Sequence, residues 1–156
     1  MKLNDTVISE DIKYIGVNDR DIDLFEGQYV VPNGISYNSY LIKDEKIAVM
    51  DTVDKRKSEE WMSNLESELN GATPDYLVVL HMEPDHSYNV GALAKKYPNM
   101  KIIGNDKTFM YMQQFFKIDN LEARKNPEIK FRGSDNQRLL KVQECLKQHR
   151  IVELSI

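Results

Sequence analysis

The ten residues Leu77–His86, Leu-Val-Val-Leu-His-Met-Glu-Pro-Asp-His, constrain this chain more than any other stretch. An apolar run from Tyr76 to Leu80 gives way at once to His81, Glu83, Asp85 and His86. A short apolar run without polar alternation reads as a strand buried on both faces. Such a strand needs neighbours beside it and helices over it, so the expected class is α/β or α+β, a mixed sheet covered by helices. Loops at the ends of buried strands are where folds of this kind hold their chemistry.

The spacing of the cluster carries a further expectation. Alternate residues of an extended backbone point the same way, and Pro84 pushes Glu83 toward extended geometry. His81, Glu83 and Asp85 are then expected to converge on one side, with His86 turned toward a second ion or a shared pocket. The pattern suits two metals better than one. Carboxylates mixed with imidazoles suit iron or manganese, and also zinc, and Glu83 tilts the balance toward redox-active iron. The plainer alternative is a polar loop in which Asp85 caps a helix near Ser87 to Asn89. Cys145 is the single cysteine, so no disulfide can form within the chain. Of the three histidines, His81, His86 and His149, two fall inside this stretch.

Composition removes several classes of function. A net charge of −4 lacks the basic balance of a nonspecific nucleic-acid binder, and no apolar run approaches a membrane span. The N-terminus, MKLNDTVISEDIKYIG, has no signal-type apolar core, so the expected location is the cytoplasm.

Around the cluster, strands are expected at Ile12 to Val17, Gln28 to Val31, Ser36 to Ile42, Lys46 to Met50 and Lys101 to Gly104. Helices are expected at Lys55 to Leu69, capped by Asp54 or Thr52, at Asn89 to Tyr97, and at Asp106 to Phe116. The aromatic and methionine residues Tyr37, Tyr40, Phe109, Met110, Tyr111, Met112, Phe115 and Phe116 invite reading as a flavin-stacking surface, but their spacing favours core packing. After Ile118 the sequence turns polar, and a final helix is expected over 135–149, with 151–156 a strand or a frayed end.

HMEPDH after a buried strand resembles the H-x-E-x-D-H signature of the flavodiiron proteins. YNSYLIKDEKIAVMDTVD (Tyr37–Asp54), PDYLVVLHMEPDH and KYPNMKIIG are similar to neighbouring segments of that family. Hydrolytic metallo-β-lactamase relatives normally carry His at the position of Glu83. The resemblance implies a partial metallo-β-lactamase-like αββα sandwich over 1–118, with 119–156 a divergent tail. It implies two non-haem irons, with His81 and Glu83 on one and Asp85 and His86 on the other. Asp51 becomes a supporting or structural residue. It further implies O2 or NO as substrate, FMN as electron source, a flavodoxin- or rubredoxin-like donor, and a homo-oligomer.

The family takes three more ligands from downstream: a His in a Pro-Met-x-His-Trp-Pro stretch, a bridging Asp and a final His. No such stretch occurs here, and His149 sits in a helix-like context, CLKQHRIVEL. No segment corresponds to a flavodoxin-like domain, so the protein is expected to be a truncated form that alone does not turn over O2 or NO. A zinc hydrolase of metallo-β-lactamase type and a degenerate, non-catalytic domain are the alternatives.

Overall fold

A computed structural model describes residues 8–116, all within one compact unit. The expected helix at 135–149, the end at 151–156, Cys145 and His149 lie outside the described residues. In sequence order the strands are β1 (Ile12–Tyr14), β2 (Val17–Asp19), β3 (Leu24–Phe25), β4 (Tyr29–Val30), β5 (Ile35–Tyr37), β6 (Tyr40–Lys43), β7 (Ile47–Met50), β8 (Tyr76–Val78) and β9 (Lys101–Ile103). The α-helices are α1 (Ser58–Leu69), α2 (Pro84–Ser87), α3 (Val90–Lys96) and α4 (Asp106–Phe116).

One five-stranded sheet runs β1-β6-β7-β8-β9. β1, β6 and β7 pair antiparallel, whereas β7, β8 and β9 run parallel. The mixed character has a simple origin. Asp44 to Lys46 make a tight turn between β6 and β7, while α1 and then α2–α3 are the crossovers that parallel pairing requires. Leu41, Val49 and Leu77 stand in register across three strands and are fully buried. They share one core cluster with Trp61, Leu65 and Leu69 of α1, Val90 and Leu93 of α3, and Phe109 and Met112 of α4.

The opposite face is less covered. Met50, Val78 and Ile103, also in register, are half-buried. β8 is therefore not buried on both faces as its continuous apolar run suggests. Burial alternates along it, with Leu77 inside and Tyr76 and Val78 partly open.

Two expected strands are each broken in two. Ile12 to Val17 splits into β1, which pairs with β6, and β2, which pairs with β5. Ser36 to Ile42 splits in the same way into β5 and β6. The backbone switches sheets at both places, and a run of apolar residues carries no sign of that switch. Gly16 sits at the crossing, where an added Cβ would stand 2.3 Å from the Tyr37 carbonyl oxygen. The strand expected at Gln28 to Val31 is only Tyr29–Val30, the second arm of a hairpin with β3. Its turn has Glu26 (φ 52) and Gly27 (φ 69) both left-handed, the hand that suits tight hairpins.

The core expectation for α4 also fails in part. Phe109 and Met112 are buried, but Met110, Tyr111 and Phe115 are exposed. Apolar residues occupy more of this helix than one stripe can bury. Among the described residues no helix is long and apolar enough to cross a membrane.

Gly34 and Gly27 separate two costs of adding a methyl group. Both have positive φ, but at Gly34 a Cβ would meet the Asp19 carbonyl oxygen at 2.1 Å, whereas at Gly27 nothing lies within 4 Å. Gly27→Ala is expected to cost about 1 kcal/mol from backbone strain alone, and Gly34→Ala about 3 kcal/mol once overpacking is added. Urea unfolding of the two variants checks the difference.

Candidate metal centre

The four candidate residues lie beyond the C-terminal ends of the parallel strands β7 and β8, the general location for sites in such sheets. What shapes them is Asp51, the residue immediately after β7. It is 5% exposed and adopts a left-handed backbone (φ 56) that is costly for a residue with a side chain. Its neighbours fix it there. Asp51 N donates to Val78 O (2.8 Å), and Asp51 O accepts from Ser39 Oγ (3.0 Å). Ser39 Oγ in turn accepts from Trp61 Nε1 (3.0 Å) in the core.

Held this way, the Asp51 carboxylate spans the loop after β8. Oδ1 accepts from Leu80 N at 2.7 Å, and Oδ2 lies 3.0 Å from His86 Nδ1. Thr52 completes the clamp, since its N and Oγ1 both donate to His86 O at 2.8 Å. Asn89 N then donates to Thr52 Oγ1 (3.2 Å), and Asn89 Nδ2 donates to Val53 O (2.7 Å).

The loop does not stay extended. Pro84 opens the single-turn helix α2 instead, as proline does at a first helical position. Glu83 itself is extended (φ −63, ψ 148), so the effect of Pro84 on the residue before it is present but ends there. Asp85 and His86 are helical, and the alternation expected across His81, Glu83 and Asp85 does not occur. Asp85 sits inside the turn and does not cap the helix that follows near Ser87 to Asn89. Of the two residues read as caps for the helix after β7, Asp54 caps only the 3-10 turn Lys55–Lys57 that leads into α1, with Oδ1 accepting from Arg56 N (2.9 Å), and α1 itself begins at Ser58 with no side-chain cap.

The turn still gathers donors. Glu83, Asp85 and His86 each offer a ligand atom within 4.8 Å of one another. Asp85 Oδ2 is 3.5 Å from His86 Nε2. His81 stands beside this group, with Nδ1 3.2 Å from Glu83 Oε2 and its ring centroid 5.5 Å from that of His86. Burial opposes a charge on His86, yet the hydrogen bond to Asp51 and the fields of Asp51, Asp85 and Glu83 outweigh it and raise its pKa. Burial also raises the Asp85 pKa, only partly offset by His86. An open cleft of about 140 Å³ borders Asp85, lined by Ile22, Phe25, Glu26, Tyr37, Asp54 and Pro84.

The donor set fits a hard or borderline metal, since two carboxylates and imidazoles are what iron, manganese and zinc accept. Binding His86 Nδ1 to a carboxylate leaves Nε2 for a metal, the arrangement metal-ligating histidines commonly have. Sequence reasoning missed Ser39, Trp61, Thr52 and Asn89 as supports. Nothing in their spacing links them to the cluster, because each acts through a long-range contact.

No family model matches the sequence. An anaerobic nitric oxide reductase flavorubredoxin of Vibrio vulnificus is 40% identical over 96 residues, 61% of this chain and 19% of that protein. A flavo-diiron protein of Clostridium acetobutylicum is 30% identical over 117 residues, 75% of this chain and 29% of that protein. Among solved structures, rubredoxin:oxygen oxidoreductase of Desulfovibrio gigas superposes with TM-score 0.67 at 30% identity, covering 72% of this chain and 28% of that one. The flavodiiron protein of Giardia intestinalis gives TM-score 0.65 at 26% identity, covering 72% and 27%. The protein thus spans between 19% and 29% of the length of these relatives.

Asp51→Ala removes both acceptors and leaves Leu80 N and His86 Nδ1 without their partner. The expected loss is about 2–3 kcal/mol of stability and about 10- to 100-fold in affinity for a divalent metal. Chemical denaturation and competitive metal titration measure the two effects separately.

Proposed function

We propose that this protein, related to the flavodiiron proteins over up to 75% of its length, holds part of a di-iron centre for reduction of NO or O2. In this reading the fold is the metallo-β-lactamase-like part of such a reductase, over 1–118, with 119–156 a separate tail. His81 and Glu83 serve one iron, and Asp85 and His86 the other. When bound, the iron pair supplies the redox chemistry.

The protein's own task is to hold the donors in place. Asp51 fixes the ring of His86 through Nδ1, while Thr52 fixes its backbone carbonyl. The cleft beside Asp85, walled by Ile22, Phe25 and Pro84, gives a small uncharged molecule an apolar approach. Further ligands, and electrons from FMN or a rubredoxin-type donor, are proposed to come from outside the described residues.

The observation that carries this reading is the pairing of buried Asp51 with half-buried His86. A solvated polar loop has no need of a carboxylate held in left-handed backbone to orient one imidazole. Glu83 separates the reading from a zinc hydrolase.

The test is metal content after anaerobic loading with ferrous iron or zinc, compared with a His81→Ala/Glu83→Ala double variant. Iron retained through gel filtration by the parent and lost by the variant, with circular dichroism unchanged, is expected. Equal metal in both proteins would remove the proposal, and the non-catalytic alternative would stand.

A further inference from the structure

We infer that Asn70–Gly71 is a site of spontaneous deamidation, and that the fold shields the protein's other Asn-Gly pair, Asn33–Gly34, from the same reaction. The sequence treats the two alike. Their surroundings differ in each feature the reaction needs. The inference stands independently of the metal centre.

The chemistry is internal. The deprotonated backbone nitrogen of the glycine attacks the Asn Cγ and a new bond forms between them. The bond from Cγ to the amide nitrogen breaks, with loss of ammonia. Water then opens the cyclic imide at either carbonyl, leaving aspartate or isoaspartate. No co-reactant other than water is consumed. The step requires a glycine N–H free of hydrogen bonding and room for the backbone to rotate into the attack geometry.

Asn70–Gly71 meets both requirements. Asn70 ends α1 in the left-handed conformation (φ 48, ψ 45), and both residues are exposed. Asn70 N donates to Glu66 O and Ala72 N donates to Leu69 O, but among the described residues the Gly71 N–H has no acceptor. Around Gly71 (φ +85) no atom lies within 4 Å of a would-be Cβ. Helix ends are also where local opening costs least.

Asn33–Gly34 fails both. The Gly34 N–H donates to Val31 O at 2.8 Å. The Gly34 backbone is pressed against the Asp19 carbonyl oxygen, 2.1 Å from a would-be Cβ, and Asp19 pairs with Ile35 in the β2–β5 ladder. The backbone there cannot rotate without parting β2 from β5.

The consequence at position 70 is local. A new carboxylate would sit at the negative end of the α1 dipole. The extra backbone carbon of isoaspartate would be taken up between Gly71 and Pro74. Beyond that, Asp75 anchors the backbone, with N donating to Ile47 O (2.8 Å) and Oδ2 accepting from Ile47 N (2.9 Å).

The experiment incubates the full-length protein at mildly alkaline pH and follows both peptides by mass spectrometry, with isoaspartate confirmed by enzymatic methylation. Conversion at Asn70 is expected to run at least about tenfold faster than at Asn33, because the second requires local opening of paired strands. In urea the two rates are expected to converge. Comparable folded-state rates, faster conversion at Asn33, or an Asn70 that stays an amide would each overturn the inference, as would a rate difference that persists in urea.

Discussion

The bond between Asp51 and His86 organises everything around the candidate centre. An aspartate in left-handed backbone is unfavourable on its own, of order 1–3 kcal/mol. It persists because three elements determine its position together: β8 through Val78 O, the core through Trp61 and Ser39, and the β8–α2 loop through Leu80 N. With Asp51 set, His86 can take only a narrow range of orientations. The turn of α2 then decides where Asp85 and Glu83 stand. The polar cluster is thus shaped by the hydrophobic core through a single buried carboxylate.

Much of the scaffold was legible in the residues. The 3.6-residue spacing of Trp61, Leu65 and Leu69 marks α1, and all three are buried. Asn70 at its end is the expected left-handed stop. The expected order of elements, strands up to Met50 and then helices alternating with strands, agrees with the mixed sheet with helices over it. The breaks between β1 and β2 and between β5 and β6 were not legible. They depend on which strand lies alongside, and the alternation of residues is the same whether a strand keeps its partner or changes it.

The candidate site divides in the same manner. The residue types and their crowding after β8 could be read directly, as could their relation to the flavodiiron pattern. The local shape could not. Proline restrains the residue before it and also starts helices well, and both effects act at Pro84, so Glu83 is extended and Asp85 is helical. Convergence of the donors comes from a helical turn in place of an extended strand. The supports Ser39, Thr52 and Asn89 are polar residues whose partners lie 12, 34 and 36 positions away, which no local pattern reveals.

The proposed role of this turn, held by Asp51, is to bind metal. Anomalous diffraction at the iron edge, from crystals of the full-length protein loaded anaerobically with ferrous iron, tests it most directly. The expected result is an anomalous peak within coordination distance of Glu83, Asp85 and the Nε2 of His86, with the Nδ1 of His86 still bound to Asp51. A peak elsewhere on the protein, or none while the Asp51–His86 bond remains intact, would contradict it.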